Sequence, residues 1–347
     1  MRVFVSEYVC GGGWPESTIG GSLAVEGRAM LCAIVDDLSR VAGVQVQTTW
    51  DARSGEHSFK TAHCVRIDSP GDELQVFQRL AAECDVTLVI APEFDGILFD
   101  RCRRVEVAGG RLAGPASRAV ALCTDKLRLA GHLRAAGVAT IPTESIDLDS
   151  ACLRLNDRRA ATFPAVIKPR DGAGSQEIYL VNDFEDLEIW RRGHIDNRQS
   201  RSFIRQPYIA GQPVSVAVLL SSSQRDAEVF APAEQQLSND GRFRYQGGRI
   251  PFINGQQEAI QRAALAACRC IPGLRGYVGI DLVVPAAPPH QPVVVEINPR
   301  LTTSYLGYRL LAESNLAEWM LIPSRFQRSI CWRSTGVEFD TAGNVRF

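Results

Sequence analysis

No stretch of the 347-residue chain approaches the ~18 to 20 consecutive apolar residues that a membrane-spanning helix needs. A surplus of one charge is missing too, since 38 lysines and arginines stand against 39 aspartates and glutamates for a formal net charge of -1. That balance removes the basic excess that draws whole proteins to nucleic acid or anionic lipid, so neither is an expected partner. The apolar fraction of 45% is too high for a disordered chain, and no biased repeat suggests a fibrous one. Metal-site spacings are absent as well. The 10 cysteines include no Cys-x-x-Cys, and Cys268 and Cys270 lie in an alanine-rich helical stretch with no further ligand at zinc-site spacing. His57, His63, His132, His194 and His290 share no ligand spacing. Scattered thiols read as reduced and mostly buried. The opening Met1 to Glu7 places a carboxylate where the apolar core of a secretory signal would continue, so a cytoplasmic protein is expected.

What is present is a change of pattern along the chain. At roughly 150 residues per domain the length suggests about two units. Val3 to Val9 is a short β-branched run closed by Gly11-Gly12-Gly13, and Ser22 to Arg40 repeats apolar residues at helical spacing. Val44 to Trp50 reads as a strand, 72–83 as a helix, and Val86 to Ile90 as a buried strand. This βαβαβ order predicts a Rossmann-like parallel α/β lobe over residues 1–115, because parallel strands need crossover connections. Its strand ends, including the segment Ala91-Pro92-Glu93-Phe94-Asp95, should face a ligand crevice. Beyond Gly114-Pro115 the pattern becomes α+β. A helical block covers 116–136, a strand pair flanks a glycine turn within 163–181, and a polar helix covers 183–192. Further strands are expected at 202–206 and 214–220, and a hairpin spans 279–300. Residues 323–347 carry no clear pattern and read as a tail.

The hairpin is the most specific chemical feature. Alternation in a strand sends Glu296 and Asn298 to one face and Val295 and Ile297 to the core. With Asp281 on the neighbouring strand they form an all-oxygen cluster suited to Mg2+, and Arg300, on the same face, could hold an anion beside it. The bland alternative is a hairpin whose polar face meets water. Lys168 leaves the buried Ala165-Val166-Ile167 and precedes Asp171-Gly172-Ala173-Gly174-Ser175, a loop whose backbone N–H groups could close over phosphates or could simply make a turn. No Gly-x-x-x-x-Gly-Lys-[Ser/Thr] occurs, and Glu16 stands where the third glycine of a dinucleotide fingerprint would follow Gly11-Gly12-Gly13.

Taken in order, Thr124-Asp125-Lys126, the Lys168 strand with its glycine loop, Gln206-Pro207-Tyr208-Ile209-Ala210-Gly211, and Asp281 with Glu296-Ile297-Asn298-Pro299-Arg300 resemble the ATP-grasp superfamily of carboxylate–amine ligases over about residues 115–310. The resemblance implies a two-lobed ATP-grasp domain at 116–322, with its small lobe at about 143–206. It puts Lys126 and Lys168 on the α- and β-phosphates of ATP, residues 171–175 over the phosphates, and Gln206, Pro207, Tyr208 and Ile209 at the adenine. It further implies two Mg2+ ions, replaceable by Mn2+, on Asp281, Glu296 and Asn298, with Arg300 and Lys168 acting on an acyl phosphate that an amine then attacks. Homodimers are frequent in this superfamily. Gln206 and Pro213 depart from it, since many members carry acidic residues there.

The opening Ser6-Glu7-Tyr8-Val9-Cys10-Gly11-Gly12-Gly13, with Glu26-Gly27-Arg28-Ala29-Met30 and the Glu93 segment, resembles one branch, the tyramine–glutamate ligases of methanofuran-type, one-carbon cofactor biosynthesis. This implies a small amine and an amino-acid carboxylate as substrates. Glu7, Glu93 or Asp95 would meet an ammonium, Tyr8 or Trp14 would stack on an aromatic amine, Arg28 would take a carboxylate, and Gly11 and Gly12 would line the site. Glu7 and Glu26 could instead cap and brace the glycine loop. A dipeptide ligase of the D-alanine–D-alanine type and a non-catalytic ATP-binding regulator are the competing readings.

Overall fold

A computed structural model describes residues 1–15, 17–146, 162–172, 174, 177–194 and 202–347. The first lobe is built on β1 (Arg2–Glu7), α1 (Gly21–Ser39), β2 (Gln45–Asp51), β3 (His63–Ile67), α2 (Pro70–Glu83), β4 (Val86–Ile90) and α3 (Ile97–Val107). The strands run parallel in the order β3-β2-β1-β4. Central β1 is covered on both faces, with Val3, Phe4 and Val5 fully buried, as expected when helices flank a parallel sheet. β3 is absent from the sequence reading. Of His63–Ile67 only Ile67 is buried, so its edge position comes from pairing with β2 and not from a local apolar pattern.

The expected helical block at 116–136 is two helices, α4 (Ser117–Cys123) and α5 (Lys126–Ala135). Asp125 separates them because its carboxylate accepts from the Arg128 amide at 3.0 Å, which starts a new helix. The small antiparallel sheet comprises β5 (Glu144–Ile146), β6 (Ala165–Pro169), β7 (Tyr179–Val181) and β8 (Phe203–Pro207) in the order β5-β8-β6-β7. α6 (Phe184–His194) lays Leu187 and Trp190 against Ala165, Ile167 and Phe203 of that sheet.

The large sheet contains β9 (Gly211–Leu220), β10 (Ala227–Val229), β11 (Ala233–Leu237), β12 (Tyr245–Ile250), β13 (Gly276–Pro285), β14 (Val293–Asn298), β15 (Val337–Asp340) and β16 (Val345–Arg346). Its order is β14-β13-β9-β11-β12-β15-β16, with β10 on β9. α7 (Gln257–Arg269), α8 (Tyr305–Leu311) and α9 (Leu316–Leu321) complete it. The supposed tail is therefore corrected, because β15 pairs with β12 from Gly247↔Asp340 to Ile250↔Val337. Gly247, at φ +143°, permits this approach, since a Cβ there would lie 2.1 Å from the Phe339 carbonyl oxygen.

The first lobe and the large sheet share a core. One buried cluster runs from Val3, Val5, Leu31 and Ile34 to Tyr277, Tyr305, Trp319 and Phe339. At its edge Asp37 of α1 accepts from Tyr305 Oη at 2.5 Å and from Arg309 at 2.7 and 2.8 Å. Among the described residues no helix is long and apolar enough to cross a membrane. Asp37→Ala leaves the buried Tyr305 hydroxyl without its acceptor and Arg309 with Asp36 alone, so it should cost about 3 kcal/mol of unfolding free energy, read from a urea transition.

Candidate active site

The β13–β14 ladder places Asp281 directly opposite Glu296. Asn298 Nδ2 donates to Asp281 Oδ2 at 2.9 Å, and Gln235 Nε2, from β11, donates to Oδ1 at 2.9 Å. Gln235 has no sequence signature, because the run Glu234-Gln235-Gln236 shows neither alternation nor a motif. The ladder also shifts register between Asp281 and Leu282, so that Leu282 faces Val294 and Val295 is the extra residue. Val295, expected in the core, is consequently half-buried on the cleft wall, while Val294 and Ile297 are buried.

Two lysines converge on this pair. Lys168 shares its face of β6 with Val166, which is paired with Gln206, and both line the cleft. Lys168 Nζ lies 3.4 Å from Glu296 Oε2, and Lys126 Nζ lies 3.8 Å from the same oxygen and 3.2 Å from the Gly172 carbonyl. Lys126 opens α5, and its amide donates to the Arg170 carbonyl at 3.0 Å while Arg170 clamps Asp125 at 2.6 and 2.8 Å. Burial, then the Glu296 charge, pushes Asp281 above the usual carboxylate range. Burial also pushes Glu296 upward, but Lys168 and Lys126 outweigh it and hold this carboxyl low. Burial, helped by the Lys126 charge, lowers Lys168 against the pull of Glu296. Two ammonium groups sharing one carboxylate oxygen leave cationic capacity for a more highly charged anion.

The cleft, of about 430 Å³, continues past Gln206, Pro207, Tyr208 and Ile209. Gln206 is buried and donates to Thr143 Oγ1 at 2.9 Å, while the Tyr208 ring stacks on Phe243 with centroids 5.9 Å apart. Asp171 accepts from the Asp95 amide at 3.0 Å, and Gly174 lines the cleft close to Leu23. Ala173 and Ser175, the remaining expected phosphate-loop residues, lie outside the described residues.

Arg300 is held by Glu93 through two contacts of 2.8 and 3.0 Å, which join the large sheet to the first lobe. The other substrate residues expected from the sequence fall elsewhere. Glu7 is buried, accepts from the Cys10 amide at 2.5 Å, and lies against Gly27, so it braces the glycine loop. Its burial pushes the carboxyl up to about 7, against the opposing Cys10 hydrogen bonds. Gly11 packs on Thr49 and Gly12 on Ile67, both away from the cleft. Tyr8 lies beneath the Arg101 guanidinium at 5.0 Å, and the Trp14 carbonyl accepts from Arg53. Arg28 is a correction, because it lines a separate cavity of about 870 Å³ with Cys10 and Arg309. There it donates to the Ser54 carbonyl and covers Trp50 at 5.0 Å. Positions two apart on a helix differ by about 200°, so Glu26 faces the cleft and Arg28 cannot.

With this geometry in place, residues 123–304 match a family model described as the ATP-grasp domain, and residues 44–120 match a pre ATP-grasp 3 domain. The chain belongs to the ATP-grasp family. It is 24% identical over 319 residues to a tyramine–L-glutamate ligase of Methanocaldococcus fervens, covering 90% of this chain and 92% of that protein. An ATP-grasp superfamily protein from Archaeoglobus fulgidus superposes with a TM-score of 0.72 at 23% identity, covering 98% of this chain and 92% of the other. The biotin carboxylase domain of the Hydrogenobacter thermophilus 2-oxoglutarate carboxylase, in complex with MgADP, ADP and bicarbonate, gives 0.74 at 14% identity, covering 97% and 73%. The chain is an ATP-dependent carboxylate–amine ligase.

The site fits the nucleotide and metal that the ATP-grasp fold implies. Among the described residues no three His, Cys, Asp or Glu side chains gather, here or elsewhere, and the donor set offered by the hairpin is two carboxylates and an amide, all oxygen on the protein side, as Mg2+ prefers. Asp125→Ala, which removes both the α5 cap and the Arg170 clamp, should cost about 1 kcal/mol in urea unfolding and weaken calorimetric MgADP binding by misplacing Lys126.

Proposed function

We propose that this ligase joins an amino-acid carboxylate, glutamate first among candidates, to a small tyramine-like amine through an acyl phosphate, with ATP converted to ADP and phosphate. The observation that carries the reading is the meeting of Asp281, Glu296 and Asn298 with Lys126 and Lys168 in one cleft, closed on its first-lobe side by Arg300 and Glu93. The substrate pair is supported by the named relative at 24% identity. A place in one-carbon cofactor biosynthesis in the cytoplasm is the part of the proposal that rests on the sequence resemblance alone.

In this reading Asp281, Glu296 and Asn298 would hold two Mg2+ ions, and Lys126 and Lys168 would hold phosphate oxygens. Bound Mg2+ supplies charge neutralisation for phosphoryl transfer, a reaction in which positioning and electrostatics dominate. Glu296, which Lys126 and Lys168 face, would be one of the carboxylates holding the metal, and the two ammonium groups beside it would face the phosphates. Asp281 is kept in orientation by Gln235 and Asn298. Arg300, fixed by Glu93, presents its remaining guanidinium edge to the activated carboxylate. Gln206 and the Tyr208 segment form the adenine end. Residues 171–175 exclude water from the acyl phosphate, which hydrolysis would otherwise destroy.

Purified protein with MgATP, hydroxylamine and a panel of carboxylates should release ADP and form a hydroxamate, with glutamate preferred. No ADP with any carboxylate and amine pair would sink the ligation reading, and turnover with D-alanine alone would exclude glutamate. Glu296→Gln should lower turnover at least about 100-fold while unfolding free energy stays within about 1 kcal/mol of the parent protein. Normal activity in that variant would remove Glu296 from the metal site.

A further inference from the structure

One carboxylate on the cleft wall has no role in the site described above. Glu26, in α1, lines the same cavity as Lys168, Asp281, Glu296 and Arg300 and is half-buried. Among the described residues no hydrogen bond or ion pair reaches it, whereas its acidic neighbours are all engaged. Glu93 is closed on Arg300, Glu7 on the Cys10 amide, and Asp281 is held by Gln235 and Asn298. Asp95 is exposed on its loop. The carboxylates that the sequence offered for an ammonium are thus spent or outside the cleft, and Glu26 is left facing it.

Its surroundings suit a cation. Burial pushes the Glu26 carboxyl up to about 7, opposed by Arg300 and assisted by Glu93. An arriving ammonium would replace lost hydration and restore the ionised form. The amine nucleophile also imposes a requirement of its own. A primary ammonium resembles lysine, with a pKa near 10.4, and has no lone pair for attack until a proton leaves. A carboxylate poised near neutrality accepts that proton better than one at the ordinary value.

We propose that Glu26 binds the ammonium group of the amine substrate and acts as the base that frees its nitrogen. This rests on the ligase reading above and adds to it the residue that selects and activates the nucleophile. One ammonium proton passes to a Glu26 carboxylate oxygen, and the nitrogen lone pair forms the C–N bond at the acyl carbon. As the tetrahedral adduct collapses, the bond from carbon to the phosphate oxygen breaks, and the second nitrogen proton leaves with phosphate. The amine class follows from the other charges on the wall. In the ligase reading Lys168 serves the phosphates and Arg300 the activated carboxylate, and Arg28 faces the cavity on the other side of α1. A second amino acid would bring a further carboxylate, for which the described cleft residues offer no cation beyond Lys168 and Arg300, so the site selects a primary amine without one.

The test uses full-length protein with Glu26→Gln and Glu26→Asp, and the carboxylate that the parent protein accepts. Amine ligation is compared with hydroxamate formation, because hydroxylamine is uncharged at neutral pH and needs no base. Glu26→Gln should raise the KM for tyramine at least about tenfold and lower kcat about 100-fold, while hydroxamate formation stays within about twofold. Glu26→Asp should recover part of the loss. Calorimetric titration of tyramine into protein with MgADP and the carboxylate should show binding by the parent and none by Glu26→Gln. Hydroxamate formation falling in parallel with amine ligation would place Glu26 on the carboxylate substrate and overturn the proposal. Unchanged tyramine kinetics, or equal binding heats from the two proteins, zero included, would also overturn it. Failure of the ligase reading has a different signature, namely no ADP and no hydroxamate from the parent protein itself.

Discussion

Asp281 and Glu296 occupy one rung of an antiparallel ladder, two acids that strand geometry forces side by side. Like charges directly opposite are destabilising in a sheet, and burial makes them more so. Most of the catalytic half of the molecule answers that constraint. Amide groups of Gln235 and Asn298 bond Asp281, while Lys126 and Lys168 arrive from other elements to face Glu296. The two lysines belong to different parts of the fold, one at the start of α5 and one in β6 of the small sheet. The same repulsion that weakens the bare hairpin is what a divalent cation would relieve, so the cost of the arrangement in folding is linked to ligand affinity.

The first lobe enters this scheme by contact with the large sheet and by shared packing. The Arg300–Glu93 pair is largely buried on both sides, so neither partner can be withdrawn without leaving the other unpaired. Behind it the apolar cluster that contains Val3 and Ile34 also contains Tyr277 and Tyr305. The lobe that would choose substrates and the sheet that would hold the metal therefore share one packed core. The small sheet has its own cluster around Trp190 and Phe203.

Features with a strong local cause were legible in the sequence. Alternation at Glu296 and Asn298, the buried run before Lys168, and the βαβ order of the first lobe all survive in the structure. What could not be read is non-local. β3 and β15 are short strands placed by pairing and not by a local pattern, β3 against the preceding β2 and β15 against β12 far earlier in the chain. The extra residue at Val295 follows from register against β13, which a period-two rule cannot contain. The break at Asp125 was available, since an aspartate before a helical run is a capping signal. Among substrate residues the sequence offered Glu7 for an ammonium or as a brace of the glycine loop, and Arg28 for a carboxylate. Residue type favoured both, but a hydrogen bond to Cys10 takes the first and helix phase removes the second.

α1 is a partition. Its one side walls the catalytic cleft, its other side walls a second cavity, and between the two at Gly27 the helix rests directly on Glu7 of β1, where a Cβ would lie 2.5 Å from the carboxylate oxygen. The missing side chain sets the depth at which the helix sits. A larger residue there would have to push the Glu7 carboxylate off the Cys10 amide or shift the helix that carries Glu26 and Arg28. A single hydrogen atom at Gly27 thus acts as a spacer between α1 and the carboxylate on which it lies.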